Sequence, residues 1–551
     1  MRYVVGTLLL GALALGAWFA LRTDPALPVG RRVLVITIDT TRADAVGRGT
    51  ETPAIAAFLD EATHFAATRV SVPQTLPSHV SLFTGLAPAR HGVHENLVPP
   101  LPAKRPFALL AEEFQRAGYA TAGFVSSPVL GEKTGLGAGF ETYVSPRFSG
   151  GRWSGNQSDV PAKQRAAEAI SWLRKHRTDR FFCWVHFFDP HAPYLPYEGD
   201  ARRRATEAGM PRDALYAGEV RRVDAQIERL LATVPADTII VVATDHGEGL
   251  GAHGEPTHGV LCYATTVAAF LAVRAPALTA GAVDHGPRSL NDVAPTLRGW
   301  CGLAAQPTDG LALTDDASGR VVVSESLVTF RTYGWGQVFA ATDGRFSLVE
   351  TGPRVELFDI AADPREERPL DPVGHAAYEP LDRALTAYRA GAARPEPAGA
   401  YFDAGSPYGH AVRPVTNYLS RPDNAALPDP GHGFEFRSLM KTARGYIHLG
   451  RIQKNAQVLR QAIGILEDLA RREPGNPAPL LYLAHARGRL GYVSGDKQLH
   501  RDAAAAARAA IERGYRVAPL LYDLLYESLH GGHLGDLRAA LLVARDGRIT
   551  P

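Results

Sequence analysis

The 551-residue chain has only three cysteines, Cys183, Cys262 and Cys301, and they lie far apart. No CxxC pair or Cys/His ligand spacing is formed, which excludes a cysteine-ligated metal and reads all three as small apolar core residues. An excess of one charge is also missing. Fifty-nine basic residues face 57 acidic ones, for a formal net charge of +2. Such a balance gives no general reason to expect nucleic acid or a polyanionic surface as partner, so recognition of an anion has to be local. The N-terminal segment carries no lipobox cysteine and no clear small-x-small cleavage site.

What is present begins with an uncharged run from Tyr3 to Leu21, flanked by Arg2 and Arg22. It is about long enough to cross a bilayer and has no polar face. We expect residues 1–22 to be an uncleaved signal anchor, with a cleavable signal peptide as the alternative. The rest of the chain then lies outside the cytoplasm, periplasmic or extracellular, on a single-pass membrane protein or else secreted. Residues 23–31 read as a linker.

From Arg32 the chain alternates apolar runs with helical patterns. Arg32–Ile38, Thr121–Ser126, Phe181–Phe188, Thr238–Ala243 and Ala268–Val273 read as strands buried on both faces of a parallel sheet. Pro53–Ala62, Phe107–Ala117, Lys163–Lys175 and Asp213–Thr233 read as the helices between them. The alternation predicts an α/β doubly wound sheet, with its ligand site at the carboxyl ends of the strands. Shorter strands from about Val321 to Ile360 predict a small antiparallel subdomain. The catalytic domain is expected to span 32–390, an irregular extension 391–433, and a helical, tetratricopeptide-like domain 434–551.

Three segments carry the chemistry. Asp39 follows the first strand directly, where a carboxylate serves either as a turn cap or as a ligand for a hard cation. Asp245 and His246 follow another buried strand, and the repetition favours a mixed oxygen/nitrogen metal site. Gly247 would allow a tight backbone turn beside it. The third segment is Pro73-Gln-Thr75-Leu-Pro77-Ser78-His79. Pro77 suits the first turn of a helix running to about Phe83, with Thr75 just before it, where free N–H groups attract anions. From spacing alone Thr75 reads as a cap.

The segments VLVITIDTTRAD, TLPSHVSLFTGLAPARHGVHEN, FFCWVHFFDPHAPYLPY, IIVVATDHGEGLGAHGE and NDVAPTLRGWCGL, in that order, resemble the sulfatase family of the alkaline-phosphatase superfamily. ELFDIAADPREE, from Glu356, resembles the family's carboxy-terminal segment. The likeness spans about two thirds of the chain and leaves out the helical tail. It implies that Asp39, Asp245 and His246 bind one divalent cation (Ca, Mg, Mn or Zn), with Thr75 as nucleophile and further ligand. His191, in Asp189-Pro-His191, would contact the ester or leaving group. His258 falls where relatives place a basic substrate contact, often lysine. Arg42 and Asp44 would brace the site, and His94 and Asn96 would line a pocket. His186 and His253 read as satisfied or surface histidines.

Two departures shape the expected activity. Family members that cleave sulfate esters carry cysteine or serine at the nucleophile, converted to formylglycine, whereas this chain has Thr75, followed by His79 where arginine is usual. Relatives that use threonine directly transfer phosphoryl groups. Thr40 stands where many sulfatases have a second aspartate, which shifts the metal preference away from calcium. A second metal would need Asp189, His191 and His258, whose spacing differs from that in two-zinc relatives. The expected function is therefore hydrolysis of a small anionic phosphate or sulfate ester, with phosphoryl transfer through Thr75 preferred. The alternatives are a phosphoethanolamine/phosphoglycerol-type transferase and a degenerate anion-binding scaffold. The helical tail is expected to bind a protein partner.

Overall fold

The computed structural model describes residues 32–96, 101, 103–146, 160–192, 194, 211–333, 335–392 and 433–512. The expected anchor at 3–21, the linker at 23–31, residues 393–432 of the expected extension and the helix expected near Pro519 lie outside the described residues. Among the described residues no helix is long and apolar enough to cross a membrane.

Strand β1 (Arg32–Ile38) lies inside an eight-stranded sheet. Side chains along a strand face opposite sides in turn. Val33 and Val35 accordingly enter one apolar core, and Leu34, Ile36 and Ile38 enter the other. Both faces are covered, which is why the run is continuously apolar. The other strands are β2 (Thr63–Arg69), β3 (Ala120–Val125), β4 (Thr142–Val144), β5 (Phe181–Phe187), β6 (Ile239–Thr244), β7 (Leu271–Arg274) and β8 (Val283–Ser289), in the order β4-β3-β5-β1-β6-β7-β2-β8. Helices α1 (Pro53–Phe58), α4 (Ala162–Lys175) and α5 (Arg212–Leu231) cover the face of Leu34. Helices α2 (Thr75–Thr84), α3 (Leu110–Arg116) and α6 (Val293–Trp300) cover the face of Val33.

One strand departs from the expected parallel arrangement. β7 is antiparallel to both β6 and β2. The chain leaves β6, turns back over the strand ends and re-enters the sheet next door with only a 3-10 turn, Ala252–Gly254, and the one-turn helix Ala264–Val267 between. Parallel neighbours need a crossover of a dozen or more residues packed on the sheet face, and this segment spends its length on the site instead.

A second sheet, β12-β11-β10-β9, is antiparallel throughout, as the short strands predict. It comprises β9 (Val322–Ser326), β10 (Val338–Thr342), β11 (Phe346–Thr351) and β12 (Arg354–Asp359), and α7 (Tyr378–Ala392) packs Leu381 and Leu385 against it. The tail folds as α8 (Phe434–Gln453), α9 (Ala456–Arg472), α10 (Ala478–Ser494) and α11 (Lys497–Glu512). Asn455 caps α9, its side chain accepting from the N–H groups of Gln457 and Val458. Met440, Ala443, Ile447, Leu466 and Leu481 form the tail's core. Alternate helices begin about forty residues apart, from Phe434 to Ala478 and from Ala456 to Lys497, a longer period than the ~34 residues of a tetratricopeptide repeat.

The tail core also receives Trp335 from the catalytic domain, 1% exposed and 5.2 Å from the Phe436 ring. Deleting so large a buried side chain leaves a cavity at the junction. We expect Trp335→Ala to cost about 3–5 kcal/mol, read in urea as a fall in the unfolding midpoint. An unchanged midpoint would show that the two units hold together by other means.

Candidate active site

Asp39 and Asp245 extend the alternation of their strands by one residue. Asp39 N–H donates to Phe187 O (2.9 Å) and Asp245 N–H to Ile38 O (3.2 Å), so the ladder continues past β1 and β6. Thr37, Asp39, His186 and Asp245 therefore share the sheet face that α2 covers. Both aspartates are fully buried, and Asp39 Oδ1 and Asp245 Oδ2 have no hydrogen-bond partner in the protein. Burial alone would raise both pKa values. For Asp39, His186 and His246 outweigh it and hold the carboxyl well below its usual range. For Asp245, burial and the Asp39 charge together push the carboxyl well up. Two such carboxylates do not ionise together unless a cation joins them.

The residues fit such an ion. Ligating atoms of Asp39, Asp245 and His246 lie within 4.8 Å of one another. His246 Nε2 is 3.6 Å from Asp39 Oδ1 and 3.8 Å from Asp245 Oδ2, and its Nδ1 bonds Gly247 O at 3.0 Å. A carbonyl only accepts, so Nδ1 carries the proton and Nε2 presents its lone pair to the carboxylates. Burial and the neighbouring His258 push the imidazole down to about 3, which keeps it neutral and able to ligate. Gly247 is required here, because a Cβ would meet Thr265 O at 2.1 Å.

Thr75 is the first residue of α2 rather than the residue before it, and Gln74 holds the N-cap position. Its Oγ1 does not cap the helix. It lies 3.4 Å from Asp39 Oδ2 and 3.4 Å from His246 Nε2. Of the N–H groups expected to be free at the helix start, that of Thr75 has no partner among the described residues, while the next ones are taken or missing. Leu76 N–H donates to Asn96 Oδ1 (2.8 Å), Pro77 has none, and Ser78 N–H donates to Gln74 O (3.1 Å). Pro77 and Asn96 thus remove two of the groups an anion would have used. Asn96 is a brace of the helix start, and His94 is tied to Glu325 (2.5 Å).

His79 fixes the backbone of Thr75. Trp184 Nε1–H donates to Thr37 Oγ1 (2.9 Å), so the Thr37 proton turns to His79 Nε2 (2.9 Å) and His79 Nδ1–H donates to Thr75 O (2.7 Å). Burial and His186 push His79 down to about 3, consistent with this neutral tautomer. Ser78 adds a bond from its Oγ to Asp245 O (2.6 Å).

Opposite this cluster stand His191 and His258, with ring centroids 5.3 Å apart and His258 4.5 Å from His246. His258 Nδ1 is 3.2 Å from the buried Glu248, and Tyr194 OH donates to the other Glu248 oxygen (2.9 Å). Burial would lower the His258 pKa, but Glu248 outweighs it and raises it. His191, lowered mainly by burial, donates from Nδ1 to Ala192 O (2.7 Å) and stays neutral. The cation of the pocket wall is therefore His258. Asp189 accepts from Ala162 N–H (2.8 Å) at the start of α4.

Several participants carry no signal in the sequence reading: Glu248, Tyr194, Tyr216 and Glu255. Tyr216 OH donates to Thr40 O (2.9 Å) and accepts from Arg42 N–H (2.8 Å), holding Thr40 at φ 49°. Arg42 and Asp44 pair bidentately at 2.8 and 2.6 Å, beside the site. His253 lies outside the pocket, stacked on Tyr263 and bonded to Arg365 O. His186 is the exception to its expectation: it is fully buried and neither ring nitrogen has a hydrogen bond.

Residues 31–303 match the family model described as Sulfatase. The Δ4,5-hexuronate-2-O-sulfatase of Bacteroides thetaiotaomicron is 22% identical over 408 residues, 61% of this chain and 84% of its own. Among solved structures, the phosphonate monoester hydrolase of Silicibacter pomeroyi is similar with a TM-score of 0.52 at 22% identity, covering 65% of this chain and 95% of that one. The phosphonate monoester hydrolase of Agrobacterium radiobacter gives 0.51 at 22% identity, over 66% and 96%. A protein solved with its substrate, D-glucosamine-2-N,6-O-disulfate, gives 0.54 at 18% identity, over 66% and 98%. These likenesses establish the fold: a sulfatase/alkaline-phosphatase-like sheet with its small antiparallel subdomain.

The loop that carries His258 is itself held by Glu255, which accepts from Val260 N–H (2.9 Å) and Leu261 N–H (3.1 Å). Burial pushes this carboxyl up to about 7, against the lowering effect of Arg437 and the two N–H groups. The folded state thus binds the proton more tightly than the unfolded chain. Stability is full below the unfolded pKa near 4.5 and falls as pH rises through 7, by on the order of 3 kcal/mol. Thermal midpoints between pH 4.5 and 7.5 should show this decline, and Glu255→Gln should flatten it. A decline of the same size in the variant would assign the effect to another group.

Proposed function

We propose that residues 32–392 form a sulfatase-family, cation-dependent hydrolase of small anionic esters that acts on phosphoryl or phosphonyl centres through Thr75. The observation that carries this reading is the Thr75 hydroxyl, 3.4 Å from both Asp39 Oδ2 and His246 Nε2 at the start of a buried helix. Asp39, Asp245 and His246 would hold the cation, which lowers the pKa of an adjacent hydroxyl and polarises an oxygen of the bound ester.

The chain's own groups supply the rest. Asp39, kept ionised, accepts the Thr75 proton at Oδ2. Thr75 Oγ1 then attacks in line, so that one Oγ–P bond forms as the bond to the leaving oxygen breaks. The leaving oxygen takes a proton from the His258 imidazolium, oriented by Glu248. Neutral His258 next deprotonates the water that attacks phosphorus, and as the Oγ–P bond breaks Thr75 Oγ1 takes its proton back from Asp39. His191, stacked on Phe188 with centroids 4.3 Å apart, orients the ester beside it.

The related sulfatase and phosphonate monoester hydrolases bracket the substrate class, an oxyanion ester with one replaceable group. Threonine at position 75 favours the phosphorus side, because the formylglycine route starts from cysteine or serine. The N-terminal run at 3–21 supports a location outside the cytoplasm, on a membrane anchor. The helical tail is the surface for a protein partner.

The test is turnover of aryl phosphate monoester, phosphodiester, phosphonate and sulfate esters by residues 30–551 with Mn, Zn, Mg or Ca. Thr75→Ala should lower turnover of a phosphorus ester by roughly a thousand-fold or more. Mass spectrometry of a quenched reaction should find the adduct on the peptide that contains Thr75. Undiminished turnover in the variant overturns the nucleophile, and sulfate cleavage alone overturns the substrate class.

A further inference from the structure

His186 has no part in the proton and ester chemistry above, yet it is buried beside the nucleophile. It sits on β5 opposite Thr37 of β1, with Trp184 and Phe182 preceding it on the same face. An imidazole in such surroundings ordinarily has a hydrogen-bond partner, since leaving its polar atoms unmet is costly. Neither Nδ1 nor Nε2 has one within the protein.

The distances indicate what would satisfy it. His186 Nε2 lies 3.4 Å from Asp39 Oδ2. That is long for a charge-assisted N–H···O⁻ bond, normally about 2.7–2.9 Å. It is in the range expected between two donors that share a cation at about 2.1 Å, the usual bond length for nitrogen and carboxylate ligands. Similar spacings recur around Asp39 and His246: 3.4 Å twice to Thr75 Oγ1, and 3.6 and 3.8 Å from His246 to the two carboxylates. Asp245 belongs to two groups of potential ligands, one with Asp39 and His246 and one with His79 and His186. His79 drops out of the second group, because its Nδ1 proton is committed to Thr75 O and its Nε2 accepts from Thr37. His186 has no such commitment.

We propose that His186 Nε2 is a further ligand of the cation beside Asp39, Asp245 and His246, with positions left for Thr75 Oγ1 and an ester oxygen, and that it replaces the carboxylate that Thr40 does not supply. The inference rests on the reading of a single cation site at Asp39, Asp245 and His246. Two imidazoles and two carboxylates make a nitrogen-rich set, which selects manganese or zinc over calcium and magnesium.

The experiment uses the soluble chain stripped by chelator and reloaded with Mn²⁺ alone. Pulsed electron paramagnetic resonance counts the directly bound imidazole nitrogens, and titration gives stoichiometry and affinity. The wild type should bind one ion per chain with two coupled nitrogens. His186→Gln should keep one nitrogen and lose ten-fold or more in affinity. A single nitrogen in the wild type, two ions per chain, or unchanged affinity in His186→Gln each overturns His186 as a ligand. Asp245→Asn separates the two readings: if it binds Mn²⁺ as tightly as the wild type, the cation site itself is wrong. The wild-type nitrogen count keeps the proposal falsifiable should His186→Gln fail to fold.

Discussion

Two carboxylates are buried side by side at the ends of adjacent strands, and much of the domain serves to keep them there. Asp39 and Asp245 are both 0% exposed, and each leaves one oxygen without a protein donor. In water each would ionise freely; buried together, one suppresses the other. Among the described residues the fold does not relieve this conflict with a lysine or arginine. It leaves the space between them to neutral His246 and the Thr75 hydroxyl, groups suited to a cation's shell and unable to neutralise the acids themselves.

Holding such a conflict needs rigidity. The strand ladder runs one residue past β1 and β6, so the backbones of the two aspartates are fixed by the sheet. The helix that brings Thr75 is tied to both. Ser78 bonds Asp245 O, and the relay from Trp184 through Thr37 and His79 ends on Thr75 O. His79 therefore takes over part of a task that an arginine at this position would meet with a charge. Being neutral, it adds no cation beside the aspartates.

The sequence made the central strands and their terminal acids legible because burial on both sheet faces forces a continuous apolar run. An acid that closes such a run must meet a backbone N–H, water or a cation at the strand's mouth. Asp39, Asp245, His246 and Thr75 converge accordingly. Three features were not legible. The direction of β7 depends on where its connection spends its length, which composition does not encode. The use of Leu76 N–H depends on Asn96, twenty residues from the group it occupies. His186 looks like one more member of the run Phe-Phe-Cys-Trp-Val-His-Phe; only the parity of β5 against β1, opposite Thr37, turns it toward Asp39. The tail's helices were legible from their alanine and leucine content, whereas their spacing and the contact with Trp335 needed the packed structure.

The charge balance explains why the cation would matter beyond activating a hydroxyl. With both aspartates ionised, the described residues of the pocket set three carboxylates, Asp39, Asp245 and Glu248, against the imidazolium of His258. An anionic ester approaching that pocket meets net repulsion at short range and low dielectric, where screening by salt is weakest. Arg42 does not offset it, since Asp44 holds it in a bidentate pair beside the site. A divalent cation brings the balance to neutral and places positive charge where the ester's oxygens must sit. Substrate affinity and nucleophile activation then depend on the same ion, so removing it should raise KM as well as lower kcat. The Glu248 and His258 pair alone, internally compensated, can orient a leaving group but cannot attract an anion.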